Sequence, residues 1–313
     1  MLRRRTPNVF KVLLARPLDD EAEARLEAAA LVVRPDSDSP DALRELIDDC
    51  DALVARTHTP VTRELLAAGH RLRVVGVAGV GTDRVDLVAA EELGIRVVST
   101  PAAATDAVAD LAMALILQLL RPIPQLAEQY RRGEFYAARA LPHGRELCEL
   151  TVGIVGMGRI GTGVGRRCAG FGARVLYNDI IPVGPFGFIS QEVDKETIWS
   201  TCDVVTLHVP LTAETRGLVD ADVLGRMRRD ALLINTSRGA VVNTDSLATA
   251  LLEGRVGGAG LDVVDPEPLP AAHPLFACER CVLTPHIAAR TPGGMRRMCA
   301  VVDDVLSLLS GDS

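Results

Sequence analysis

Short apolar runs alternate with amphipathic segments along the whole chain. In the N-terminal part, residues 11–15, 31–34, 52–55, 73–77 and 95–98 form apolar runs of strand length. Helical spacing falls between them, for example at 19–29 and 62–68. Strands that take turns with helices predict a parallel sheet covered by helices. A second series begins near Thr151, with strands predicted at 151–155, 174–177, 204–207, 231–235, 258–261 and 281–283. Eleven strands exceed what one strongly twisted open sheet usually holds, so two sheets are predicted. The expected fold class is α/β, with two doubly wound parallel-sheet domains.

Two helices punctuate this plan. The longest apolar stretch, 107–120, carries Asp110 and Gln118. It is too short and too polar to span a membrane, and predicts a buried helix. Residues 292–309 place Met295, Met298, Val301, Val302, Val305, Leu308 and Leu309 on one helical face. This segment follows the last strand and is expected to fold back onto the first domain. A turn at Pro101 marks the boundary. The expected organisation is therefore 1–100 plus 288–313 as one domain and 101–287 as the other.

Composition narrows the function classes. The 313 residues carry a net charge of −7, which argues against a nucleic-acid-binding surface. The cluster Arg3-Arg4-Arg5 is not followed by the apolar core segment of a signal peptide and reads as a solvated tail rather than an address. Aromatic residues make up only 3%, so Ala, Val and Leu must fill the core. Seven scattered cysteines suit free thiols in a reducing, cytoplasmic setting. Cys278 and Cys281 form a C-x-x-C spacing, but no second pair exists to complete a zinc site, so no metal is expected.

The strand at 151–155 runs into Gly156-Met157-Gly158-Arg159-Ile160-Gly161, a G-x-G-x-x-G segment opening a helix-compatible stretch. The next apolar run ends at Asp179, about 20 residues on. This is the dinucleotide-binding pattern. Gly156 allows the tight turn, Gly158 lets a pyrophosphate approach the backbone, and Gly161 lets helix and strand pack closely. The helix start offers free N–H groups to the phosphates. Asp179 would accept hydrogen bonds from the adenosine ribose and repel a 2′-phosphate, favouring NAD over NADP.

Three polar residues then follow predicted strands: Arg238 after Leu232–Ser237, Glu267 within the Asp265–Pro268 turn, and His286 after Thr284-Pro285. Ligands of open α/β sheets bind beyond the carboxyl ends of strands. These residue types suit hydride transfer to a 2-oxo acid. An imidazolium can protonate the carbonyl oxygen as it gains charge. A carboxylate on its other nitrogen fixes the tautomer. A guanidinium can hold the substrate carboxylate by paired hydrogen bonds.

With these landmarks the chain resembles the D-isomer-specific 2-hydroxyacid dehydrogenase family. The resemblance runs through VGVAGVGTDRVDL (75–87), VGIVGMGRIG (152–161), DVVTLHVPLTAETRGLVD (203–220), LLINTSRGAVVN (232–243), GLDVVDPEPLP (260–270) and LTPHIAA (283–289). It implies a Rossmann NAD-binding domain, a flavodoxin-like substrate domain and an active-site cleft between them. It implies that Arg238 binds the substrate carboxylate, that Glu267 partners the histidine, and that His286 is the acid/base. Backbone amides at Val80 and Gly81 are implied to help hold the substrate, with Arg56 reaching its distal group. Cofactor contacts are implied for Arg159, Ile160, Asp179, His208, Pro210, Thr215, Thr236 and Asp262. A homodimer is implied, with the helix at 107–120 at the interface.

The substrate class is expected to be a small 2-oxo/2-hydroxy acid pair such as glyoxylate or hydroxypyruvate. Phosphoglycerate dehydrogenases often carry an arginine where this chain has Val77, which weakens that alternative. Phosphite dehydrogenases share the Arg-Glu-His set. An NAD-sensing, corepressor-like binding protein is the non-enzymatic alternative, and the absence of a long extra tail weighs against it.

Overall fold

The computed structural model describes residues 10–37, 39–140 and 143–311. The Arg3-Arg4-Arg5 cluster lies outside them. The chain divides into two compact units, Met1–Ala104 with Arg290–Ser313, and Thr105–Ala289.

The first unit opens with β1 (Phe10–Leu14), α1 (Asp20–Ala29), β2 (Ala30–Val33), α2 (Pro40–Leu46) and β3 (Ala52–Arg56). It continues through α3 (Arg63–Ala68), β4 (Val74–Ala78), α4 (Leu87–Glu92) and β5 (Arg96–Ser99). Its strands are all parallel, in the order β2-β1-β3-β4-β5. Side chains alternate between the faces of the sheet with the period of two of an extended chain. Leu13, Leu53 and Val75 pack with Leu43 of α2 and Leu65 of α3. Val12, Val54 and Val74 pack on the opposite side with Leu26 of α1. Asp19, Thr62 and Asp86 cap α1, α3 and α4, each accepting an N–H of the first turn.

The second unit begins with α5 (Thr105–Leu120), α6 (Ile123–Arg131) and α7 (Phe135–Arg139). Then come β6 (Thr151–Val155), α8 (Arg159–Gly170), β7 (Arg174–Asn178), β8 (Gln191–Glu192) and α9 (Lys195–Thr201). The remainder is β9 (Val204–Leu207), α10 (Ala221–Arg226), β10 (Leu232–Asn235), α11 (Thr244–Leu252), β11 (Gly258–Leu261) and β12 (Cys281–Leu283). The seven strands are parallel in the order β12-β11-β10-β9-β6-β7-β8, so the winding reverses between β6 and β9. Helices α5 and α8 cover one face through Leu115, Ile116 and Val164 on Val152, Ile154 and Ile234. Helices α9, α10 and α11 cover the other through Ile198, Leu224 and Leu247 on Val205, Leu207 and Leu233. Burying each such aliphatic side chain contributes about 1.5–3 kcal/mol before entropic costs. Eight residues of α5 are buried, and no single described helix is long and apolar enough to cross a membrane.

Two elements differ from the sequence pattern. The edge strand β8 is two exposed polar residues, which carry no apolar alternation to read. The closing segment is two helices, α12 (Pro292–Cys299) and α13 (Val301–Ser310), joined at Ala300. The Asp303 N–H donates to the Ala300 carbonyl, a tighter turn than α-helical. The apolar stripe passes through this break without interruption, so its spacing could not reveal it. Val301, Val302, Val305 and Leu309 of α13 complete the first unit's core.

Candidate active site

Sheet register assembles the site in the second unit. Asn178, Val155, Leu207, Asn235, Leu261 and Leu283 lie side by side across neighbouring strands. One residue further along each strand come Asp179, Gly156, His208, Thr236, Asp262 and Thr284. Six separate stretches of sequence thus meet at one carboxyl edge, on both sides of the winding reversal, where doubly wound sheets bind ligands.

The glycine turn has the form a dinucleotide requires. Gly156 has φ +91°, and a Cβ there would lie 2.6 Å from the His208 carbonyl oxygen. A Cβ on Gly161 would collide with the Gly156 carbonyl oxygen. A Cβ on Gly158 would meet nothing within 4 Å, so its side of the turn is open. Gly158 caps α8 without any side-chain hydrogen bond, leaving the helix start at Arg159, Ile160 and Gly161 to another acceptor. Asp179 accepts the Met157 N–H at 2.7 Å through one oxygen and the Ile180 N–H at 2.7 Å through the other. The acid is thereby tied to the glycine turn it was expected to serve.

Two polar atoms at this edge are buried without a partner, His208 Nδ1 and Thr236 Oγ1. Buried polar atoms are nearly always satisfied, so these two at the strand-end row are groups that a bound ligand can satisfy. His208 Nε2 lies 2.9 Å from Thr206 Oγ1. Burial pushes the His208 imidazolium down to about 3, so the ring is neutral at ordinary pH. The open glycine face, the uncapped helix start and these two atoms fit a bound dinucleotide.

Arg238, Glu267 and His286 extend from the same edge. Asn235, fully buried, accepts the Ser237 N–H and hydroxyl and donates to the Arg238 carbonyl, which fixes the turn presenting Arg238. The Arg238 guanidinium donates to the Ser237 carbonyl at 2.8 Å. His286 has φ +53°, an uncommon conformation for a residue with a Cβ. Its Nδ1 lies 2.8 Å from Glu267 Oε1, and both side chains are nearly half exposed. The structure brings this pair together across 19 residues of chain.

Asp262 holds the histidine turn in place. It is 1% exposed, and its Oδ1 accepts the Thr284 hydroxyl at 2.6 Å and the Ile287 N–H at 2.9 Å. Its Oδ2 accepts the Ala288 N–H, and its carbonyl accepts the His286 N–H, both at 2.9 Å. The side chain expected to face a cofactor is here engaged by its own loop.

The remaining sequence-derived residues divide between the two units. Thr215 donates to the Pro210 carbonyl at 2.6 Å and accepts the Thr212 N–H, so both residues shape the turn after β9. Arg56, Val80 and Gly81 belong to the first unit, at the carboxyl edge of its own sheet, where Arg56 pairs in register with Ala78. The Arg56 guanidinium is buried against sulfur, donating to Cys299 Sγ at 3.6 Å and Met295 Sδ at 3.2 Å. All seven cysteines are free, and Cys278 and Cys281 flank one turn closed by the Cys281 N–H to the Cys278 carbonyl. No group of three or more His, Cys, Asp or Glu side chains suited to a metal occurs among the described residues. Sequence reasoning passed over Thr206, Asn235 and Thr284. The one available signal was a polar residue within or just after an otherwise apolar strand.

A doubly wound sheet with this glycine turn and an Arg-Glu-His edge defines a nucleotide-dependent dehydrogenase. Residues 113–288 match the model of the D-isomer specific 2-hydroxyacid dehydrogenase NAD binding domain. A glyoxylate reductase of Korarchaeum cryptofilum is 40% identical over 266 residues, 84% of this chain and 80% of that protein. A D-3-phosphoglycerate dehydrogenase of Methanocaldococcus jannaschii is 35% identical over 97% of this chain, which spans 58% of that longer protein. A solved structure from Thermus thermophilus superposes with a TM-score of 0.88 at 38% identity, covering 96% of this chain and 97% of that one. The chain belongs to the D-isomer specific 2-hydroxyacid dehydrogenase family. It is an NAD(P)-dependent oxidoreductase acting on CH–OH groups.

Proposed function

We propose that this protein interconverts a small 2-oxo acid, glyoxylate or hydroxypyruvate, and its 2-hydroxy acid, of D configuration where that carbon is a stereocentre, using NAD(H). The observation that carries this reading is the 2.8 Å pair of His286 Nδ1 and Glu267 Oε1 in the unit that bears the Gly156–Gly161 turn. The bound nicotinamide supplies or accepts the hydride. Glu267 holds Nδ1, leaving Nε2 of His286 to give a proton to the carbonyl oxygen in reduction and take it back in oxidation. Arg238 holds the substrate carboxylate and polarises the neighbouring carbonyl. Asn235 and Asp262 keep Arg238 and His286 in place. Asp179 at the end of β7 favours NAD, since a 2′-phosphate would meet its negative charge.

In the first unit, Arg56, Val80 and Gly81 are assigned to substrate recognition. A phosphorylated 2-oxo acid is the second reading. It is favoured by the buried Arg56 guanidinium, which has sulfur rather than carboxylate partners. It is disfavoured by Val77, buried in the core where phosphoglycerate dehydrogenases often carry a further arginine. The protein is also assigned as a homodimer, with the interface moved from α5, whose apolar side packs on the sheet of its own unit, to α6 and α7. In α6 and α7 no residue is buried, and Tyr130 and Tyr136 are 64% and 84% exposed. Such an apolar face suits burial against a second copy.

The test is NADH oxidation, followed by absorbance, with glyoxylate, hydroxypyruvate, phosphohydroxypyruvate, pyruvate and bulkier 2-oxo acids, and NADPH in parallel. Turnover dominated by glyoxylate or hydroxypyruvate supports the reading. Turnover dominated by the phosphorylated acid supports the second one. A bulky acid as the best substrate overturns both.

A further inference from the structure

We infer that Thr206 is a positioning residue that locks His208 in its Nδ1–H tautomer, making Nδ1 a buried hydrogen-bond donor for an oxygen of the dinucleotide. The inference rests on the dinucleotide reading of this edge and goes beyond it, by assigning a proton to one atom and a task to a strand residue.

The argument is an accounting of donors and acceptors. Thr206 is fully buried in the middle of the sheet. Its register partners on the two neighbouring strands are Ile154 and Ile234. Paired residues of neighbouring strands project to the same face, so the hydroxyl stands between two aliphatic side chains. The hydrogen bond it makes is to His208 Nε2, 2.9 Å away and two residues along, hence on the same side of the chain. A neutral imidazole offers one donor nitrogen and one acceptor nitrogen. Two arrangements are therefore available.

In the first, His208 Nε2–H donates to Thr206 Oγ1. The threonine hydrogen is then stranded among isoleucines, and the bare Nδ1 lacks a donor as well. In the second, the threonine hydroxyl donates to Nε2. Only the Nδ1–H is then left over, at the open edge of the sheet. The first arrangement leaves two buried groups unsatisfied and the second leaves one, which a ligand can reach from the edge, so the second arrangement is favoured. Burial keeps the imidazole neutral, which leaves the tautomer as its one remaining degree of freedom.

The position of Nδ1 gives the donor its use. His208 stands between Gly156 and Thr236 in the register row at the carboxyl edge. The Gly156 turn is pressed against the His208 carbonyl. Thr236 Oγ1, the neighbouring unpartnered atom, marks the same edge as prepared for a polar ligand. A neutral donor there binds a phosphate, ribose or amide oxygen without bringing a second positive charge into the site.

The experiment is long-range proton–nitrogen correlation NMR of the full protein with 15N-labelled histidine, which reads the tautomer from the two ring-nitrogen shifts. The His208→Gln variant identifies the His208 signals among the six histidines. The expected result is a protonated Nδ1 and a bare Nε2 in the wild type. Thr206→Val should shift His208 toward the Nε2–H form and weaken NADH binding, read by fluorescence titration, by about 3- to 10-fold. Thr206→Ser should restore both. A wild-type ring protonated at Nε2 overturns the proposal whatever the variants do. So does Thr206→Val binding NADH as the wild type does. Wild-type protein with a protonated Nδ1 that binds neither NADH nor NADPH overturns the dinucleotide reading instead, and with it the proposed use of the donor.

Discussion

Asp262 controls His286 without touching its ring. The carbonyl of Asp262 accepts the His286 N–H at 2.9 Å, while its carboxylate collects Thr284, Ile287 and Ala288 around the same turn. The histidine is held at φ +53° by this frame, and backbone in that region persists only where its surroundings impose it. Asp262→Asn places an amide N–H₂ against one of the donors that the carboxylate now accepts. The expected outcome is a fall in kcat of about 10- to 100-fold, since small misplacements of a catalytic group are costly. NADH affinity should change less than kcat. Steady-state kinetics beside fluorescence titration check this, and a variant with wild-type kcat refutes the positioning role.

His286→Gln removes the group that moves the proton. Turnover should fall by roughly 10²–10⁴, the usual range for a general acid–base, with NADH binding largely kept. Glu267→Gln keeps a partner for the ring but removes its charge, so a smaller fall and an altered pH–rate profile are expected. Near-normal turnover of His286→Gln would exclude the assigned chemistry.

Asp179 joins two tasks, since it accepts from the glycine turn through Met157 and stands where a ribose is expected. Asp179→Ser should narrow the preference for NADH over NADPH, through weaker NADH binding and removal of the charge that opposes a 2′-phosphate. Parallel titrations with the two nucleotides measure it. Equal affinities in the wild type would mean that the acid does not discriminate.

Asp203 links the start of β6 to its surroundings. It accepts the Thr151 N–H at 2.8 Å and the Arg145 guanidinium at 2.7 Å. Burial raises its carboxyl, but the Thr151 N–H and Arg145 outweigh burial and hold it below the usual carboxylate value. A group whose folded pKa is depressed adds stability above its unfolded pKa and loses it as pH falls through the folded one. Asp203→Asn should therefore cost about 1–3 kcal/mol at neutral pH, with the deficit shrinking as the solution is acidified below the ordinary aspartate range. Urea denaturation of both proteins at several pH values tests the sign. A deficit that grows on acidification would contradict it.

The aromatic cluster of α6 and α7 joins Tyr130 to Phe135 at 5.4 Å and Phe135 to Tyr136 at 5.2 Å between ring centres. If a second copy covers this face, the wild type sediments as a dimer and Tyr130→Asp with Tyr136→Asp sediments as a monomer. A wild-type monomer in sedimentation equilibrium at micromolar concentration removes the homodimer assignment.

Much of this molecule was legible in one dimension. Unbroken apolar runs that are buried throughout, such as Val12–Leu13–Leu14 and Val204–Val205, mark strands because each must bury both faces under helices. The Gly156–Gly161 spacing and the acid at Asp179 are local, since turn, helix start and next strand lie within one βαβ unit. The chemical types of Arg238, Glu267 and His286 were readable for the same reason, each standing just past a strand. Their partnership was implied only by the family resemblance, and its geometry was not readable. The 2.8 Å approach of Glu267 to His286, the frame that Asp262 builds, and the alignment of Asp179, Gly156, His208, Thr236 and Asp262 in one row depend on which strands are neighbours and in what register. Thr206 is the plainest case. In sequence it is one more β-branched residue in a buried strand. Only the isoleucines on either side, brought there by two other strands, leave its hydroxyl facing a histidine. Local propensity acts over a few residues, whereas the satisfaction of a buried polar group is decided by whatever the whole sheet places beside it.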